Sequence, residues 1–406
     1  MSLTRALARS YRMEQVGRRQ ILAGMGAVLS ASALGGCGVG NSPANRGPAL
    51  QLARILASPD RITNITVCTR PFRAQGPRLD VEQIGQKTVV HNYGHGGSGW
   101  SLSWGSSAIA VQKAMATGER DIAVIGCGAL GLTSALLLQR AGAEVTIYAK
   151  DLPPNVRSSL ATGIWTPDSR ICFEDYAAPA FKQLWAKMAR ESFRTYQTLL
   201  GLPGDPVEFI DDYFVSDNPD ATPHHIASGD KRPKFADLQR ELIGDLIPRS
   251  EVFAPGSHPF GARYLRRNTF MMFNLSDYTR MLIADFQSYG GKIEVDEFHT
   301  PADFGRLSQK TLINATGYGA RALFGDQSIT PVRGQLARAI PQPDVHYGLD
   351  FNGVYFVPRR DGLVFQVHGQ NDYYGFGDAS TVPDRNEALL AVNTMASLWP
   401  HEPLNE

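Results

Sequence analysis

The sequence predicts an α/β fold (α+β overall): one half with a mostly parallel sheet, and a smaller, largely antiparallel sheet. Three stretches lead to that reading. Residues 121–151 read as strand, tight turn, helix, strand. Residues 91–105 open a second glycine-rich loop from the end of another strand. Residues 332–340, 353–358 and 363–367 read as strands of an antiparallel platform, and sheets of two kinds in one chain pack as separate layers.

In the first stretch, Ile122, Ala123, Val124 and Ile125 run into Gly126-x-Gly128-x-x-Gly131. A helical pattern follows through Leu130, Leu132, Ala135, Leu136 and Leu138, and Gly142 ends it before the strand at Val145, Ile147 and Tyr148. This is the context a Rossmann-type dinucleotide fingerprint requires. The first glycine allows the turn, the second lets backbone approach a pyrophosphate, and the third lets helix pack on sheet. The helix N-terminus offers free N–H groups to phosphates. Asp151 is spaced to hold a ribose hydroxyl, although Lys150 directly follows the strand.

With 43% hydrophobic residues the chain can fill a large core, and a formal net charge of +1 gives no reason to expect nucleic acid as a partner. Cys37, Cys68, Cys127 and Cys172 form no CxxC pair and no zinc-ligand spacing, and nothing in their spacing supports a Cys68–Cys172 disulfide.

The N-terminus reads as an address. Arg5, Arg9, Arg12, Arg18 and Arg19 precede a mildly apolar segment too short to span a membrane. Gly17-Arg18-Arg19-Gln20-Ile21-Leu22 resembles a twin-arginine export signal. Leu34-Gly35-Gly36-Cys37 resembles a lipobox, which would leave Cys37 as a lipidated membrane tether on a periplasmic or membrane-anchored protein. Residues 38–48 read as a flexible linker.

Residues 51–57 suggest a short helix, 65–69 a strand, and 87–91 a further strand that opens into His-Asn-Tyr-Gly-His-Gly-Gly-Ser-Gly-Trp-Ser. Gly94, Gly96, Gly97, Gly99 and Gly105 let backbone approach a flat or charged ligand that side chains would hold off. Ser106 is placed to cap a helix over 107–116. His91 and His95 lack a third ligand, so no metal site is expected, and the pair His224-His225 falls in a polar loop.

The segment from His91 to Gly99, with Gly105 and Ala108 downstream, resembles the signature of the D-amino-acid oxidase family of FAD-dependent amine oxidoreductases. Ala161-Thr162-Gly163-Ile164-Trp165, Leu312-Ile313-Asn314-Ala315-Thr316-Gly317, Arg333-Gly334-Gln335 and Val354-Tyr355-Phe356-Val357-Pro358 are similar to further segments of that family. The resemblance implies FAD, held by Gly126, Gly128, Ala129, Leu130, Gly131, Lys150 and Asp151 in the fingerprint. It adds Ser158, Ser159, Thr162, Gly163, Ile164, Thr316 and Gly317, and from the second loop Gly96, Gly97, Gly99, Trp100 and Ser101. For the substrate it implies Arg70 as carboxylate anchor, the Tyr355 hydroxyl assisting that grip, and the Gly97 carbonyl as amine acceptor. A lid tyrosine of the family corresponds to Phe351 here, which is expected to alter side-chain selection.

The order of segments departs from the family. Its Arg-Pro and His-Asn-Tyr-Gly-His-Gly-Gly segments close the chain, whereas here both precede the fingerprint, so the chain looks circularly permuted with a join near residues 117–120. The expected division is a leader and tether at 1–48, an FAD-binding domain at 49–170 and 262–330, a substrate domain at 171–261 and 331–383, and a C-terminal helix at 384–406.

The activity implied is oxidative deamination of a D-amino acid, with hydride leaving Cα for the flavin and keto acid, ammonia and peroxide as products. A bidentate guanidinium grips a carboxylate as a lysine cannot. Two rival readings are a flavin dehydrogenase of a secondary amine or imino acid, and a non-catalytic flavoprotein.

Overall fold

The computed structural model describes residues 50–219, 221, 231–261 and 263–399. All belong to the compact unit Pro48–Glu406. The leader with Arg18, Arg19 and Cys37, and the His224-His225 pair, lie outside the described residues.

The first sheet has six strands, in the order β2 (Val81–Ile84), β3 (Lys87–His91), β10 (Thr311–Asn314), β4 (Asp121–Ile125), β5 (Glu144–Ala149) and β9 (Lys292–Val295). All are parallel except β2, which is antiparallel to β3. Ile122, Ala123 and Val124 are all buried, as a central strand covered on both faces must be. Helix α1 (Ser103–Met115) precedes β4, and α2 (Ala129–Arg140) follows it, burying Leu132, Ala135, Leu136 and Leu138. Helix α3 (Pro179–Gln197) crosses α1 at Gly105, where a Cβ would overlap the Met188 backbone, and buries Trp185, Met188 and Phe193. Each such side chain contributes roughly 1.5–3 kcal/mol of burial.

The second sheet has eight strands, in the order β1 (Ile62–Arg73), β11 (Ile329–Ala339), β14 (Gly362–Val367), β13 (Val354–Arg359), β12 (Tyr347–Phe351), β6 (Val207–Ser216), β8 (Tyr264–Phe273) and β7 (Glu251–Phe253). Only β12 and β6 run parallel. Short helices α4 (Gln239–Leu242) and α6 (Ala320–Leu323) sit in connections. Helix α5 (Leu275–Ser288) packs on α2, and α7 (Arg385–Ala396) packs behind β11, β13 and β14.

Several local expectations are corrected. Residues 51–57 form no helix; the segment is irregular, and Leu50, Leu52 and Ile55 pack into the core behind the second sheet. Helix α1 starts at Ser103, so Ser106 is buried inside it rather than capping it. Strand β1 extends through Arg70-Pro71 and pairs with β11 along its length, so 62–73 belongs to the antiparallel sheet and not to the nucleotide-binding part. Strand β8 joins the same sheet through β6, while α3 packs with the nucleotide-binding core.

Candidate active site

A cleft of about 2010 Å³ is bounded by the C-terminal ends of β4 and β5 and by one face of the antiparallel sheet. Ligands of open α/β sheets bind at this end of the strands.

The glycine turn folds as its pattern requires. Gly126 has φ +110°, and Gly128 precedes the first turn of α2. A Cβ on Gly131 would overlap the Gly126 carbonyl, so only glycine lets α2 pack this closely. The Ala129 amide donates to Ser158 Oγ at 3.1 Å, and Trp100 Nε1 donates to the Ser158 carbonyl at 2.8 Å. Ser158 thereby joins the two glycine segments, which are remote in sequence, at the mouth of one helix.

The 91–105 loop is anchored by a buried polar network. Asn92 Nδ2 donates to Ser107 and Ser134, each at 3.3 Å, and Asn92 Oδ1 accepts from Ser106 Oγ at 2.6 Å. His95 Nε2 lies 2.7 Å from Ser106 Oγ. Because the Ser106 proton goes to Asn92, His95 carries its own on Nε2 and presents a bare lone pair at Nδ1. Burial lowers the His95 pKa to about 3, so the ring stays neutral. Its buried Nδ1 has no partner among the described residues, although the residue lines the cleft. His91 is engaged by protein on both nitrogens, with Glu82 at 2.9 Å and Asn314 at 3.1 Å. Cys68, Cys127 and Cys172 are free thiols, and burial pushes Cys127 and Cys172 up to about 12.

Of the residues expected at a cofactor, Gly126, Gly128, Ala129, Leu130, Lys150, Asp151, Ser158, Thr162, Gly163, Ile164, Thr316 and Gly317 line the cleft, with Gly96, Gly97, Gly99 and Trp100. Gly131, Ser159 and Ser101 do not: Gly131 lies beneath the turn, and Ser101 Oγ accepts the Thr166 amide at 2.8 Å. Lys150 meets Glu297 at 3.4 Å. A deep cleft, a glycine turn under a helix N-terminus and an orphaned neutral acceptor fit a dinucleotide such as FAD.

Arg70, Tyr355 and Gly97 line the same cleft. The Arg70 guanidinium lies over Gly334 on β11, where a Cβ would come within 2.7 Å of Nη2, and Nη1 donates to the Arg333 carbonyl at 3.3 Å. Phe351 does not face the cleft. Alternation along β12 turns it into the core behind the sheet, beneath Arg263, so the expected effect on side-chain selection has no basis in contact.

The sequence reading missed the acids on this sheet. Asp212 on β6 and Asp350 on β12 are 3% and 5% exposed and line the cleft. Tyr355 donates to Asp212 Oδ1 at 2.8 Å, and His368 Nε2 lies 3.1 Å from Asp350 Oδ1. Burial, reinforced by the nearby Asp350 charge, pushes the Asp212 carboxyl up to about 8, against the stabilising bond from Tyr355. Arg170, also missed, is buried against Asp372 at 3.4 Å; burial, with the repulsion of Arg70, lowers its pKa to about 10. The only signal for Asp212 was the pair Asp211-Asp212 inside the otherwise apolar stretch Ile210 to Val215, and it does not say which of the two is buried.

Residues 121–404 match the family model described as DAO, FAD dependent oxidoreductase. The chain is 25% identical over 284 residues to a D-amino-acid oxidase of Dictyostelium discoideum, covering 67% of this chain and 72% of that protein. It is 27% identical over 291 residues to a D-amino-acid oxidase of Streptomyces coelicolor, covering 70% and 79%. Among solved structures, L-amino acid deaminase from Proteus vulgaris aligns with TM-score 0.45 and 13% identity over 70% of this chain and 74% of that one. Likeness at that level bears on no functional point.

Proposed function

Since this chain belongs to the DAO family and is an FAD-dependent oxidoreductase, we propose that its substrate is a D-amino acid, deaminated oxidatively to keto acid, ammonia and hydrogen peroxide. One observation carries this reading: Arg70 and both glycine segments line a single cleft.

In this proposal the α2 N-terminus, the 126–130 turn and the 96–100 segment hold the dinucleotide, with His95 Nδ1 as an acceptor. Bound FAD supplies the two-electron acceptor for the hydride that leaves Cα. Arg70 grips the α-carboxylate through two charge-assisted hydrogen bonds. The Gly97 carbonyl accepts from the amine. Fixing both groups selects which enantiomer directs its Cα–H toward the cofactor, so positioning supplies the rate with no side-chain base assigned. The relatives named D-amino-acid oxidase in two distant organisms support the substrate class.

Steady-state kinetics of Arg70→Ala test the assignment. Each hydrogen bond to a charged group is worth about 1.5–3 kcal/mol, so losing two lowers kcat/KM on the order of a hundredfold or more while FAD stays bound. Unchanged turnover would remove Arg70 from the site.

The proposal extends to a permuted chain order. The family match begins at residue 121, β3 delivers the 91–105 loop beside β10, and Leu50, Ile55, Leu398 and Trp399 share one core. Export by the twin-arginine route, with a lipid on Cys37, belongs to the same proposal and rests on the leader sequence.

A further inference from the structure

The acid that holds Tyr355 has no role in the deamination reading. Among the described residues, the Tyr355 hydroxyl is the only side chain hydrogen-bonded to the Asp212 carboxylate, at 2.8 Å. Gly348 on β12 makes room for it, because a Cβ there would overlap Asp212 Oδ1. Tyr355 itself is partly exposed to the cleft.

A phenol has one proton to give. Donated to an ionised Asp212, it leaves only lone pairs facing the cleft, and these repel a carboxylate. A protonated Asp212 reverses the bond. Its O–H donates to the Tyr355 oxygen, and the tyrosine proton turns toward the cleft.

We propose that Asp212 sets the hydrogen-bonding polarity of Tyr355, so that the tyrosine grips a substrate carboxylate only while Asp212 holds a proton. This rests on the amino-acid reading above, which brings a carboxylate to Tyr355.

The groups around Asp212 suit such a switch. Asp350 faces it from β12, and His368, just beyond β14, engages Asp350. Asn268 is its register partner on β8, with Arg266 two residues along the same face and lining the cleft. Among the described residues no arginine or lysine forms an ion pair with Asp212 (its neighbours Asp211 and Arg267 pair with each other, at 3.4 Å). Burial holds the Asp212 carboxyl up at about 8, and burial with the Asp212 charge holds the Tyr355 phenol well above its ordinary value. The proton that moves near neutral pH is therefore the acid's, and the phenol keeps its own.

The test is propionate binding to the purified holoprotein between pH 7 and 9, followed by the flavin absorption spectrum. Propionate has the carboxylate and lacks the amine, and ethylamine serves as the reverse control. The expected result is a Kd for propionate that rises about tenfold over this range in the wild type, as Asp212 loses its proton. In Asp212→Asn the amide N–H donates permanently to Tyr355, so the dependence flattens. Tyr355→Phe, which keeps the shape of the site, also flattens it, with weaker binding at pH 7. Ethylamine binding should not weaken with rising pH. A wild-type slope retained in either variant would overturn the switch and leave the substrate reading standing. Failure of propionate to bind at any pH, with no D-amino acid bleaching the flavin, would overturn both.

Discussion

Asp212 ties stability to pH in a direction opposite to that of most carboxylates. Its folded pKa, about 8, lies above its ordinary value of 3.8. The folded chain therefore keeps a proton that the unfolded chain releases, and stability falls as pH rises from about 4 to about 8. A difference of that size corresponds to an energy on the order of 6 kcal/mol. Asp212→Asn should raise the denaturation midpoint clearly at pH 8 and little at pH 4, measured by chemical unfolding. An equal shift at both would show that the carboxyl is not held neutral. At this scale the sequence was legible where one short motif holds the candidate residue: Arg70 of the Arg-Pro pair and Gly97 of the glycine loop both line the cleft. It was illegible where the partners sit on separate strands. Asp212, Asp350 and Tyr355 become neighbours only through the register of β6, β12 and β13, which no local pattern sets.

At the scale of elements, two glycines separate cofactor from substrate. Gly131→Ala forces α2 away from the turn, because its Cβ would overlap the Gly126 carbonyl. The expected outcome is protein purified largely free of FAD, read from its absorption spectrum. Gly334→Ala instead crowds the Arg70 guanidinium, which lies within 2.7 Å of the added carbon. FAD should remain while KM for the amino acid rises about tenfold, the cost of one weakened charged hydrogen bond. The β4–α2–β5 unit was readable because its apolar period switches cleanly at the glycine turn. Residues 51–57 misled because their apolar side chains suit a helix face as well as the irregular packing adopted. There the chain uses the Leu50 amide on the Ser257 carbonyl and the Leu56 amide on Gln342 in place of helical bonds. Ser106 misled because its hydroxyl serves the buried Asn92–His95 network, not a helix end.

For the whole molecule, the proposed permutation makes a topological prediction. The ends of the described chain share one core, through Leu50 and Ile55 at one end and Leu398 and Trp399 at the other. Closely placed termini allow a chain to be reopened elsewhere without loss of fold. A gene starting at residue 121, running to 399 and joined by a short linker to 50–117 should yield protein that binds FAD as the natural order does. Insoluble or flavin-free protein from that arrangement, beside normal wild-type holoprotein, would count against it. Two sheets of different kinds were foreseen from sequence, but their borders were not. Strand β1 precedes the nucleotide-binding strands in the chain, yet it is hydrogen-bonded to β11 in the other sheet, a pairing across more than 250 residues.

The proposed reaction needs one cleft that holds FAD beneath an arginine orienting an amino acid. Anaerobic titration of the purified holoprotein with D- and L-alanine, D-proline and D-aspartate tests it most directly, with flavin absorbance as the readout. The expected result is bleaching by at least one D-enantiomer, no bleaching by L-alanine, and loss of the response in Arg70→Ala with the flavin still bound. Flavin that stays oxidised with every D-amino acid, or bleaches equally well without Arg70, would contradict it.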